Sequence, residues 1–575
     1  MQKRWLITPP ISKKEIESLS NALKVSAVVA EILLQRDIND FSQAEQFFRP
    51  DIKKLHDPKL MKGMDLAVKR LTVAIEKKQS ILLYGDYDVD GTTSVALFRS
   101  YLHKKVENLA FYIPDRYDEG YGVSQKGMEK AVLDKIDLII TLDCGIKNKT
   151  ELDFVVENGI DVIVCDHHEP GAELPNAIIL NPKQKGCEYP FKDLCGCGVG
   201  FKFIQALQQK NKWDEKEVFD LLDFVAIAIG ADLVTVVDEN RILAAEGMKR
   251  FNDNTRKNFD KLLEIACKAK PLSLTDVVFT IAPRINAAGR INVGSDAVRL
   301  MISDDDDEIA LFANSINEYN TERRALDETI TREALEIISS DKAYANRKST
   351  VVYQEGWSKG VVGIVASRLI EQHFKPTIVF AESNGLLTGS ARTVNDFDIH
   401  ESLINCSDLI EKFGGHTHAA GLTIKKENIT EFTNRFEGIV AKGLNTEDLS
   451  PTETVDIEIQ FNDIFNSGES LQSLPRLKRV LDQLEPHGPG NMKPVFMTKN
   501  VFAVSTRVLK EKHLKLTLMQ PDTNFTLEAI GFNLADKVDF LASGIPADII
   551  YTLESNTWNG KTTLQLNMKD IRETV

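Results

Sequence analysis

Three aspartates stand at every second position in the stretch YGDYDVDG, which runs from Tyr84 to Gly91. The order D-x-D-x-D-G also opens an EF-hand calcium loop, which needs a Glu at its twelfth position and a helix on each side. Counting from Asp86, the twelfth position is Leu97, and the preceding run 80–84 is short and apolar, as in a buried strand. The calcium loop is therefore excluded. A carboxylate cluster at the carboxyl end of a strand remains, where open α/β sheets bind their ligands.

More apolar segments end on residue types that bind metals: Asp143 in TLDCGI, Asp166, His167 and His168 in VCDHHEP, and Asp232 in AIGADLV. A single Asp at a strand end is usually a helix cap or a turn residue, and for Asp143 alone we would favour that interpretation. A cluster of Asp side chains is different, because ionised carboxylates repel one another unless water or a cation neutralises them.

Carboxylate and imidazole ligands together suit a divalent cation, of which manganese fits best and magnesium is the alternative. Two such ions would clamp a phosphoryl group and activate a water for in-line attack. The sequence thus predicts hydrolysis of a phosphoester or a phosphoanhydride.

The elements that must position these residues follow from periodicity. Short apolar strands alternate with helical stretches from Ser80 onward, which predicts βαβ units and a mainly parallel sheet. The pattern turns helical after Asn211, and the run 305–340 has helical spacing without Pro or Gly, which predicts a helix connecting two lobes. A second α/β unit follows. After about residue 455, five or so short strands predict a small closed barrel, with an OB-fold as the leading candidate.

Three local signals accompany this pattern. Asn559-Gly560 predicts a type I′ hairpin between the last two strands. Ser42 and Glu45 predict a capping box before a short helix in an N-terminal accessory segment. The acidic run Ser303–Glu308 is most simply a solvated helix start.

Bulk properties set limits on partners and location. A chain of 575 residues predicts about three to four domains. Its formal net charge of −15 gives no support for a nucleic-acid partner, so any basic surface must be local. Seven cysteines without framework spacing suit a reducing compartment, and we expect Cys187, Cys195 and Cys197 to pack rather than to bind zinc. Without a membrane-length apolar run or a signal peptide, we expect a cytoplasmic protein with no membrane partner.

Ten motifs carry a resemblance to a known family: GDYDVDGTTS, IPDRYDEGYGVS, LDCGI, CDHH, ILNPK, IAPRINAAGR, GIVASRL, GSAR, FGGHTHAAG and LEPHGPGN. In this order, and over nearly the whole chain, they resemble the DHH phosphoesterase superfamily, named after the motif present here as Asp166-His167-His168, and within it the bacterial RecJ exonucleases. The resemblance implies an α/β fold with a DHH-type parallel-sheet lobe, a smaller α/β DHH-associated lobe joined by a long helix, and a C-terminal OB-fold β-barrel. The corresponding segments are an N-terminal accessory segment 1–70, a DHH catalytic domain 71–304, a connecting helix 305–345, a DHH-associated substrate-binding domain 346–450 and an OB-fold domain 451–575.

The same resemblance implies which residues act at the site. Metal ligands would be Asp88, Asp90, Asp143, His167 and Asp232, with Asp86 as a further candidate. His168 would complete the catalytic set beside the metals, orienting a ligand or the scissile phosphate. Compact superfamily members carry a His four residues before the first metal aspartate, where this chain has Tyr84. Asp86 is the natural substitute for that ligand, and spacing does not decide which aspartate bridges the two ions.

Substrate contacts are implied for two arginines that border Asn286 in IAPRINAAGR and for several residues of the second lobe. The full set is Arg284, Asn286, Arg290, Arg368, Ser390, Arg392, Gly414, Gly415 and His416. Arginines suit phosphate, and paired glycines let a backbone approach it closely. His416 would bind that phosphate or protonate the leaving oxygen, and His418 is assigned to structure.

The barrel offers its own candidates for stacking bases and tracking phosphates: Phe496, Phe502, Arg507, Lys510, Lys512, Lys515 and Trp558. Because an alternating strand also needs buried aromatics, we expect at least half of these side chains to pack in the core.

The resemblance implies a metal-dependent exonuclease specific for single-stranded DNA, running 5′ to 3′ and releasing 5′-mononucleotides in recombination and repair. A phosphodiesterase of short oligonucleotides or cyclic dinucleotides is the enzyme alternative, which the added barrel disfavours. A non-catalytic replication scaffold is the other, which the intact aspartates and histidines disfavour. A helicase and a single-strand-binding protein are candidate partners, and we expect a monomer.

Overall fold

The computed structural model describes residues 3–383, 385–445, 447–465 and 468–574. It divides into two compact units. The larger unit comprises Leu55–Val234 and Asp238–Pro451, and the smaller unit comprises Met1–Lys54, Thr235–Val237 and Thr452–Val575. The N-terminal segment therefore belongs to the same unit as the C-terminal barrel. In the residues described, the structure holds no helix that is both long enough and apolar enough to cross a membrane.

The N-terminal segment contains one strand and three helices: β1 (Arg4–Ile7), α1 (Lys13–Leu23), α2 (Ala27–Leu34) and α3 (Phe41–Phe48). The predicted capping box is wrong, because Ser42 lies inside α3 and the helix is capped by Asp40, whose Oδ1 accepts a 2.8 Å hydrogen bond from the Gln43 amide. An Asp at this position satisfies a free amide of the first turn as well as a Ser would.

The first sheet of the larger unit is built from β2 (Ile81–Gly85), β3 (Leu109–Tyr112), β4 (Leu138–Leu142), β5 (Asp161–Cys165) and β6 (Ile178–Leu180). Its helices are α4 (Met64–Glu76), α5 (Val89–Leu102), α6 (Gln125–Leu133) and α7 (Lys149–Glu157). The strand order is β3-β2-β4-β5-β6 and every pair is parallel, which confirms the predicted parallel sheet. The order reverses between β2 and β4, and such a switch point opens a crevice at the carboxyl ends of the strands.

Helices fill the next part of the larger unit: α8 (Gly196–Asn211), α9 (Glu215–Phe219), α10 (Leu222–Asp232), α11 (Asp238–Asp253), α12 (Lys257–Ile265), α13 (Leu274–Thr280), α14 (Ala282–Ile291), α15 (Ser295–Ile302), α16 (Asp306–Ser340) and α17 (Ala343–Asn346). Helix α16 is 35 residues long, as the unbroken helical pattern predicted. Asp305 caps it by accepting hydrogen bonds from the Asp307 and Glu308 amides, which confirms the acidic run as a helix start.

The second sheet contains β7 (Thr350–Tyr353), β8 (Thr377–Ser383), β9 (Leu386–Arg392), β10 (Ile410–His416) and β11 (Ala419–Ile424), with helices α18 (Val362–His373), α19 (Ile399–Ile404) and α20 (Ile429–Gly443). Its order is β10-β11-β9-β8-β7, and β7 and β8 form its parallel pair. Helix α18 follows β7, so its N-terminus lies at the carboxyl edge of that strand.

The C-terminal elements of the smaller unit are β12 (Thr452–Val455), β13 (Ile457–Glu458), α21 (Phe461–Ile464), α22 (Arg476–Leu481), β14 (Phe496–Leu509), β15 (His513–Met519), β16 (Thr526–Gly531), α23 (Val538–Ala542), β17 (Ala547–Trp558) and β18 (Lys561–Glu573). Five strands close on themselves in the order β14-β15-β16-β18-β17, because β17 pairs back with β14. Asn559 and Gly560 both have positive φ, as a type I′ hairpin requires. The predicted small barrel is thus confirmed.

Most of the candidate nucleic-acid residues of the barrel lie on its surface. Phe496 is fully buried and Phe502 is half-buried. The remaining five are exposed: Arg507, Lys510, Lys512, Lys515 and Trp558. The expectation that at least half would pack in the core is wrong, because the outward positions of β14 and β15 and the tip of the β17–β18 hairpin face solvent.

Candidate functional site

The carboxyl edge of the first sheet brings the predicted metal ligands together. Asp86 follows β2, Asp143 follows β4 and His167 follows β5, while Asp232 ends α10. The Nε2 atom of His167 lies 3.3 Å from Asp143 Oδ1 and 3.5 Å from Asp232 Oδ2. It also lies 3.9 Å from Asp90 Oδ2. We call these five residues, with Asp88, the acid–imidazole cluster.

Several atoms of this cluster are buried and have no hydrogen-bond partner: Asp86 Oδ2, Asp143 Oδ1 and His167 Nε2. Buried polar atoms are normally paired, so these unpaired atoms indicate a ligand. Two overlapping triads, Asp143-His167-His168 and Asp90-His167-Asp232, have ligand atoms within 4.8 Å of one another. The donors are those that divalent transition metals prefer, and the residues fit the predicted ions.

Backbone amides fix one carboxylate of the cluster from behind. Asp90 accepts hydrogen bonds of 2.6 and 2.7 Å from the amides of Gly196 and Cys197, the first residues of α8. Asp88 caps α5 by accepting a hydrogen bond from the Gly91 amide. The buried Cys195 caps α8, so its predicted packing role is confirmed, as is that of the buried Cys197. The start of α8 therefore fixes the orientation of a candidate metal ligand.

Like charge accumulates in the cluster. Burial and the charge of Asp88 raise the pKa of Asp86 to about 8 and that of Asp90 to about 7. Burial and the charges of neighbouring aspartates raise the pKa of Asp232 to about 8 and that of Asp143 well above its ordinary value. Carboxyls that resist ionisation in this way become carboxylates when a cation replaces the missing positive charge.

The two histidines of the DHH motif differ in charge. Burial and the neighbouring His168 lower the pKa of His167 to about 3, which leaves a neutral imidazole suited to metal ligation. Burial alone would lower the pKa of His168, but a 2.8 Å hydrogen bond to Asp166 and the charge of that carboxylate raise it to about 9. Asp166 also accepts bonds from the His167, His168 and Ile146 amides, so its carboxylate organises the motif.

Tyr84 does not replace the histidine of compact superfamily members. Its ring is fully buried in the hydrophobic cluster between the sheet and α6, and its hydroxyl hydrogen-bonds to Ser124 and the Gly122 carbonyl. Asp86 accepts a 3.1 Å hydrogen bond from the Gly122 amide through Oδ1, while its Oδ2 stays unpaired. Asp86 therefore keeps one carboxylate oxygen available to a ligand, whereas Tyr84 does not.

A second site of opposite charge lies at the N-terminus of α18. Arg290 donates a 3.1 Å hydrogen bond to the Gly360 carbonyl, and Arg392 donates one of 2.9 Å to Ser390 Oγ. A Cβ atom added to Gly363, in the first turn of α18, would lie only 2.9 Å from the Arg392 side chain and 3.0 Å from that of Ser390. We call Arg290, Ser390, Arg392 and this helix start the arginine pocket.

The arginine pocket is electrostatically unsatisfied. Burial and the charge of Arg116 lower the pKa of Arg290 to about 9, and Arg323 and Arg392 act in the same direction. In the part of the chain that the structure describes, no carboxylate forms an ion pair with Arg290. Because buried charges are normally paired, and a helix N-terminus attracts anions, the pocket is suited to a phosphate.

His416 is subject to charges from both sides of the site, those of Arg392 and His168. Burial lowers its pKa, and the charges of His418, Arg392, Lys147 and His168 lower it further. Gly415 has a φ of 150°, and an added Cβ would overlap the Ala419 carbonyl, so the hairpin itself requires this glycine. An added Cβ on Gly414 would meet nothing within 4 Å. The backbone beside Gly414 is open for a ligand, as the paired glycines suggested.

The remaining predicted contacts are half-buried, and both arginines among them are already bonded within the protein. Arg284 donates to the Asn317 side chain and the Thr280 carbonyl, and Asn286 is half-buried. Arg368 forms a 2.6 Å ion pair with the buried Asp327 on α16.

Sequence reasoning missed the arginines that extend the basic surface. Arg116, Arg323 and Arg324 contribute to the field around Arg290 and Arg284. The pair Arg323-Arg324 in NTERRAL was a visible signal, but the long helical pattern explained it as part of a connecting helix. Together with the predicted arginines they form the local basic surface that a chain of net charge −15 needs.

Comparison with known proteins agrees with this geometry. Three family models match: the DHH family N-terminal domain over residues 80–229, the DHHA1 domain over 346–442 and the RecJ OB domain over 456–570. The single-stranded-DNA-specific exonuclease RecJ of Bacillus subtilis is 36% identical over 573 residues, which cover 99% of this chain and 70% of that protein. RecJ of Haemophilus influenzae is 31% identical over 577 residues, covering 97% and 98%.

A solved structure matches the whole fold. The crystal structure of RecJ in complex with Mn²⁺ from Thermus thermophilus has a TM-score of 0.85 and 26% sequence identity, covering 100% of this chain and 80% of that one. The fold of this chain, with its two sheets and its barrel, thus matches that of a protein solved in complex with Mn²⁺. The chain belongs to the RecJ family.

Proposed function

We propose that the protein is a metal-dependent exonuclease that degrades single-stranded DNA from 5′ to 3′ and releases 5′-mononucleotides. The observation that carries this proposal is the pairing of two sites within the larger unit. The acid–imidazole cluster gathers buried groups that suit cations, the half-buried arginine pocket gathers groups that suit an anion, and His416 interacts electrostatically with Arg392 of the pocket and with His168 beside the cluster. The relatives from B. subtilis and H. influenzae, both named single-stranded-DNA-specific exonucleases, support it.

We propose that the two sites bind two consecutive phosphates of a strand. The scissile phosphate would lie at the acid–imidazole cluster and the 5′-terminal phosphate in the arginine pocket. Water attacks the scissile phosphorus, the bond from phosphorus to the 3′ oxygen breaks, and a proton reaches that oxygen. The released product is a 5′-mononucleotide, and the shortened strand carries a new 5′ phosphate, so the pocket can bind the next end.

Each residue then has a proposed role. The cluster residues Asp86, Asp88, Asp90, Asp143, His167 and Asp232 would hold two divalent ions, manganese first and magnesium as the alternative. When bound, these ions would lower the pKa of the attacking water and offset charge on the phosphate. His168, held by Asp166, would orient the scissile phosphate, and His416 would protonate the leaving 3′ oxygen.

The arginine pocket binds the terminal phosphate, with Gly414 and Gly415 beside it. Arg284 and Asn286 would line the further path of the strand. Arg368 is the weakest of the candidates, because Asp327 already pairs with it.

Broader assignments rest on the family and the barrel. An OB-fold with exposed Lys and Arg side chains suits a single strand, which favours DNA longer than a dinucleotide. We also propose a role in recombination and repair, a cytoplasmic location, a monomeric state, and a helicase and a single-strand-binding protein as partners. The division into segments 1–70, 71–304, 305–345, 346–450 and 451–575 is retained as a proposal for functional domains.

The proposal is tested with an internally labelled single-stranded oligonucleotide whose 5′ or 3′ end is blocked. In manganese, the wild-type protein should release mononucleotides from the 3′-blocked strand and leave the 5′-blocked strand intact. Asp88→Ala and chelator treatment should abolish release. Degradation of the 5′-blocked strand but not of the 3′-blocked strand would show that the enzyme runs from 3′ to 5′. Hydrolysis of dinucleotides alone would establish a small-substrate phosphodiesterase instead.

A further inference from the structure

The motif IPDRYDEGYGVS forms a loop between β3 and α6 whose residues contact the acid–imidazole side of the site. At its end, the Gly122 amide donates a 3.1 Å hydrogen bond to Asp86, and the Tyr121 hydroxyl lies 3.1 Å from Nε2 of His168. The T-shaped contact between the Tyr121 and Tyr87 rings adds a second attachment. Any shift of this end of the loop would therefore move two groups of the proposed reaction centre.

The other end of the same loop is hydrogen-bonded to the elements that form the arginine pocket. The Tyr117 hydroxyl donates a 2.6 Å hydrogen bond to the Arg290 carbonyl, and Lys359 Nζ donates one of 2.7 Å to the Tyr117 carbonyl. Arg290 in turn donates to the carbonyl of Gly360. Arg116 binds the Gly289 carbonyl at 2.9 Å. The loop is thus bonded both to α14, which carries Arg290, and to the segment that leads into α18.

The contact between the loop and the segment before α18 leaves no room for a side chain at Gly360. An added Cβ would come closer than 3.0 Å to both the Tyr117 hydroxyl and the Arg290 carbonyl. Gly360 is buried and stands two residues before α18, whose first turn adjoins Ser390 and Arg392. The position of the arginine pocket therefore depends on this contact.

Hydrogen bonds within the loop keep its two ends at a fixed distance from each other. Asp115 Oδ1 accepts hydrogen bonds from the Tyr117 and Asp118 amides, at 2.7 and 2.9 Å. Glu119 closes the loop by accepting bonds of 3.0 Å from the Asp115 amide and the Tyr112 hydroxyl. Side chains that bond to nearby amides in this way hold a loop in one conformation.

We propose that Tyr117, Lys359 and Gly360 are positioning residues that fix the spacing between the acid–imidazole cluster and the arginine pocket, and thereby set the product length at one nucleotide. The inference rests on the proposed function. With the terminal phosphate held in the pocket, only the next phosphodiester reaches the cluster. If the spacing loosens, the correct phosphodiester is misplaced and the following one competes, because displacements of about 1 Å can cost about 100-fold in rate.

The test measures product lengths from a 5′-phosphorylated single strand for wild type, Gly360→Ala and Tyr117→Phe in manganese. Gly438→Ala is the matched control, because an added Cβ there meets nothing within 4 Å. Wild type and Gly438→Ala should release mononucleotides. Gly360→Ala should raise the ratio of dinucleotides to mononucleotides by about tenfold or more and lower the preference for a 5′-phosphorylated over a 5′-hydroxyl end.

Tyr117→Phe keeps the ring and removes one hydrogen bond, so a shift of about fivefold in the same ratio is expected. This variant decides the question if Gly360→Ala does not fold, as thermal melting will show. Mononucleotides alone from the folded variants, with the wild-type end preference, would overturn the positioning role and leave the exonuclease intact. An inert wild-type protein would instead overturn the proposed function.

Discussion

The acid–imidazole cluster gathers several acidic groups, and the arginine pocket gathers several positively charged groups. Both sites lie within the larger unit. In the cluster, burial and neighbouring aspartates raise the pKa of Asp86 and Asp232 to about 8. In the pocket, burial and neighbouring arginines lower the pKa of Arg290 to about 9. Each site is therefore destabilised until a ligand of opposite charge arrives. Native proteins accept such a loss of stability where binding requires it.

The largest effect is expected when a carboxylate of the acid–imidazole cluster is removed. Asp143→Asn removes a ligand atom of the cluster, and groups that merely orient ligands already contribute about 10- to 100-fold. We therefore expect exonuclease activity in manganese to fall by more than about 100-fold. The same change should raise the melting temperature of the metal-free protein, because one repelling carboxyl is gone.

Asp161→Asn is the matched control, since Asp161 begins β5 at the opposite edge of the sheet and its side chain is 64% exposed. It should retain activity within a few-fold. Unchanged activity of Asp143→Asn would place the reaction outside the cluster.

The basic side is tested with Arg290→Met, which keeps the apolar length of the side chain without its charge. Losing one partner of a buried charge contact costs about 2–5 kcal/mol, so kcat/KM should fall by about 30-fold or more on a 5′-phosphorylated strand. Inorganic phosphate should stabilise the wild-type protein against heat and leave Arg290→Met unaffected. Arg299→Met, whose side chain is 54% exposed, is the control. Equal stabilisation of both by phosphate would remove the pocket from the proposal.

The acid side of this comparison was readable from the sequence for a physical reason. Strand ends of a parallel sheet converge at one edge, so Asp86, Asp143 and His167 could be brought together before any coordinates were known. The arginine pocket combines α14 with β9 and the start of α18, and only the family resemblance pointed to it. Arg116 and Arg323 had no periodic signal that separates a ligand-facing arginine from a solvated one.

The smaller unit shows the same limit. Five short strands were enough to predict the barrel, but the pairing of β1 with β12 joins residues more than 400 positions apart, such as Arg4 and Thr452. Nothing in either segment alone indicates the other, because the contact forms through tertiary packing. The prediction of the α3 cap was wrong for a local reason. Asp40 and Ser42 are both good capping residues, and the sequence does not rank them.

Acidity should distinguish the two sites in the metal-free protein. Asp86, Asp90 and Asp232 have folded-state pKa values of about 7 to 8, above the ordinary carboxyl range, so the folded state binds more protons than the unfolded state. These carboxyls make stability fall as pH rises from about 4 to about 8, by up to about 1.4 kcal/mol per pH unit for each titrating carboxyl. His167, whose folded-state pKa is lowered to about 3, offsets one such contribution below about pH 6.5. Arg290 keeps its charge throughout this range and should add no slope.

Urea unfolding of chelator-treated protein at several pH values measures this slope, and manganese should flatten or reverse it. Asp143→Asn should have a smaller slope than wild type. A metal-free stability that rises over this interval would show that the carboxyls are ionised and compensated within the protein.

The smallest effect is expected in the barrel, where charged and aromatic groups are solvated and no like charges are buried together in the residues that the structure describes. Trp558 is 74% exposed beside the Asn559-Gly560 turn. Stacking of a base on an aromatic ring is worth about 1–3 kcal/mol, so Trp558→Ala should weaken binding of a long single strand by about tenfold. Trp558→Phe keeps a stacking face and should lose less.

Binding is measured with a fluorescent strand in calcium or without metal, and hydrolysis of a dinucleotide serves as the control. Because Trp558 contributes affinity for a long strand and no charge to either site, the dinucleotide rate and the metal-free melting temperature should both stay at their wild-type values. A Trp558→Ala protein that binds the long strand as tightly as wild type would show that this ring does not contact DNA, and would restrict strand recognition in the barrel to its exposed lysines and Arg507.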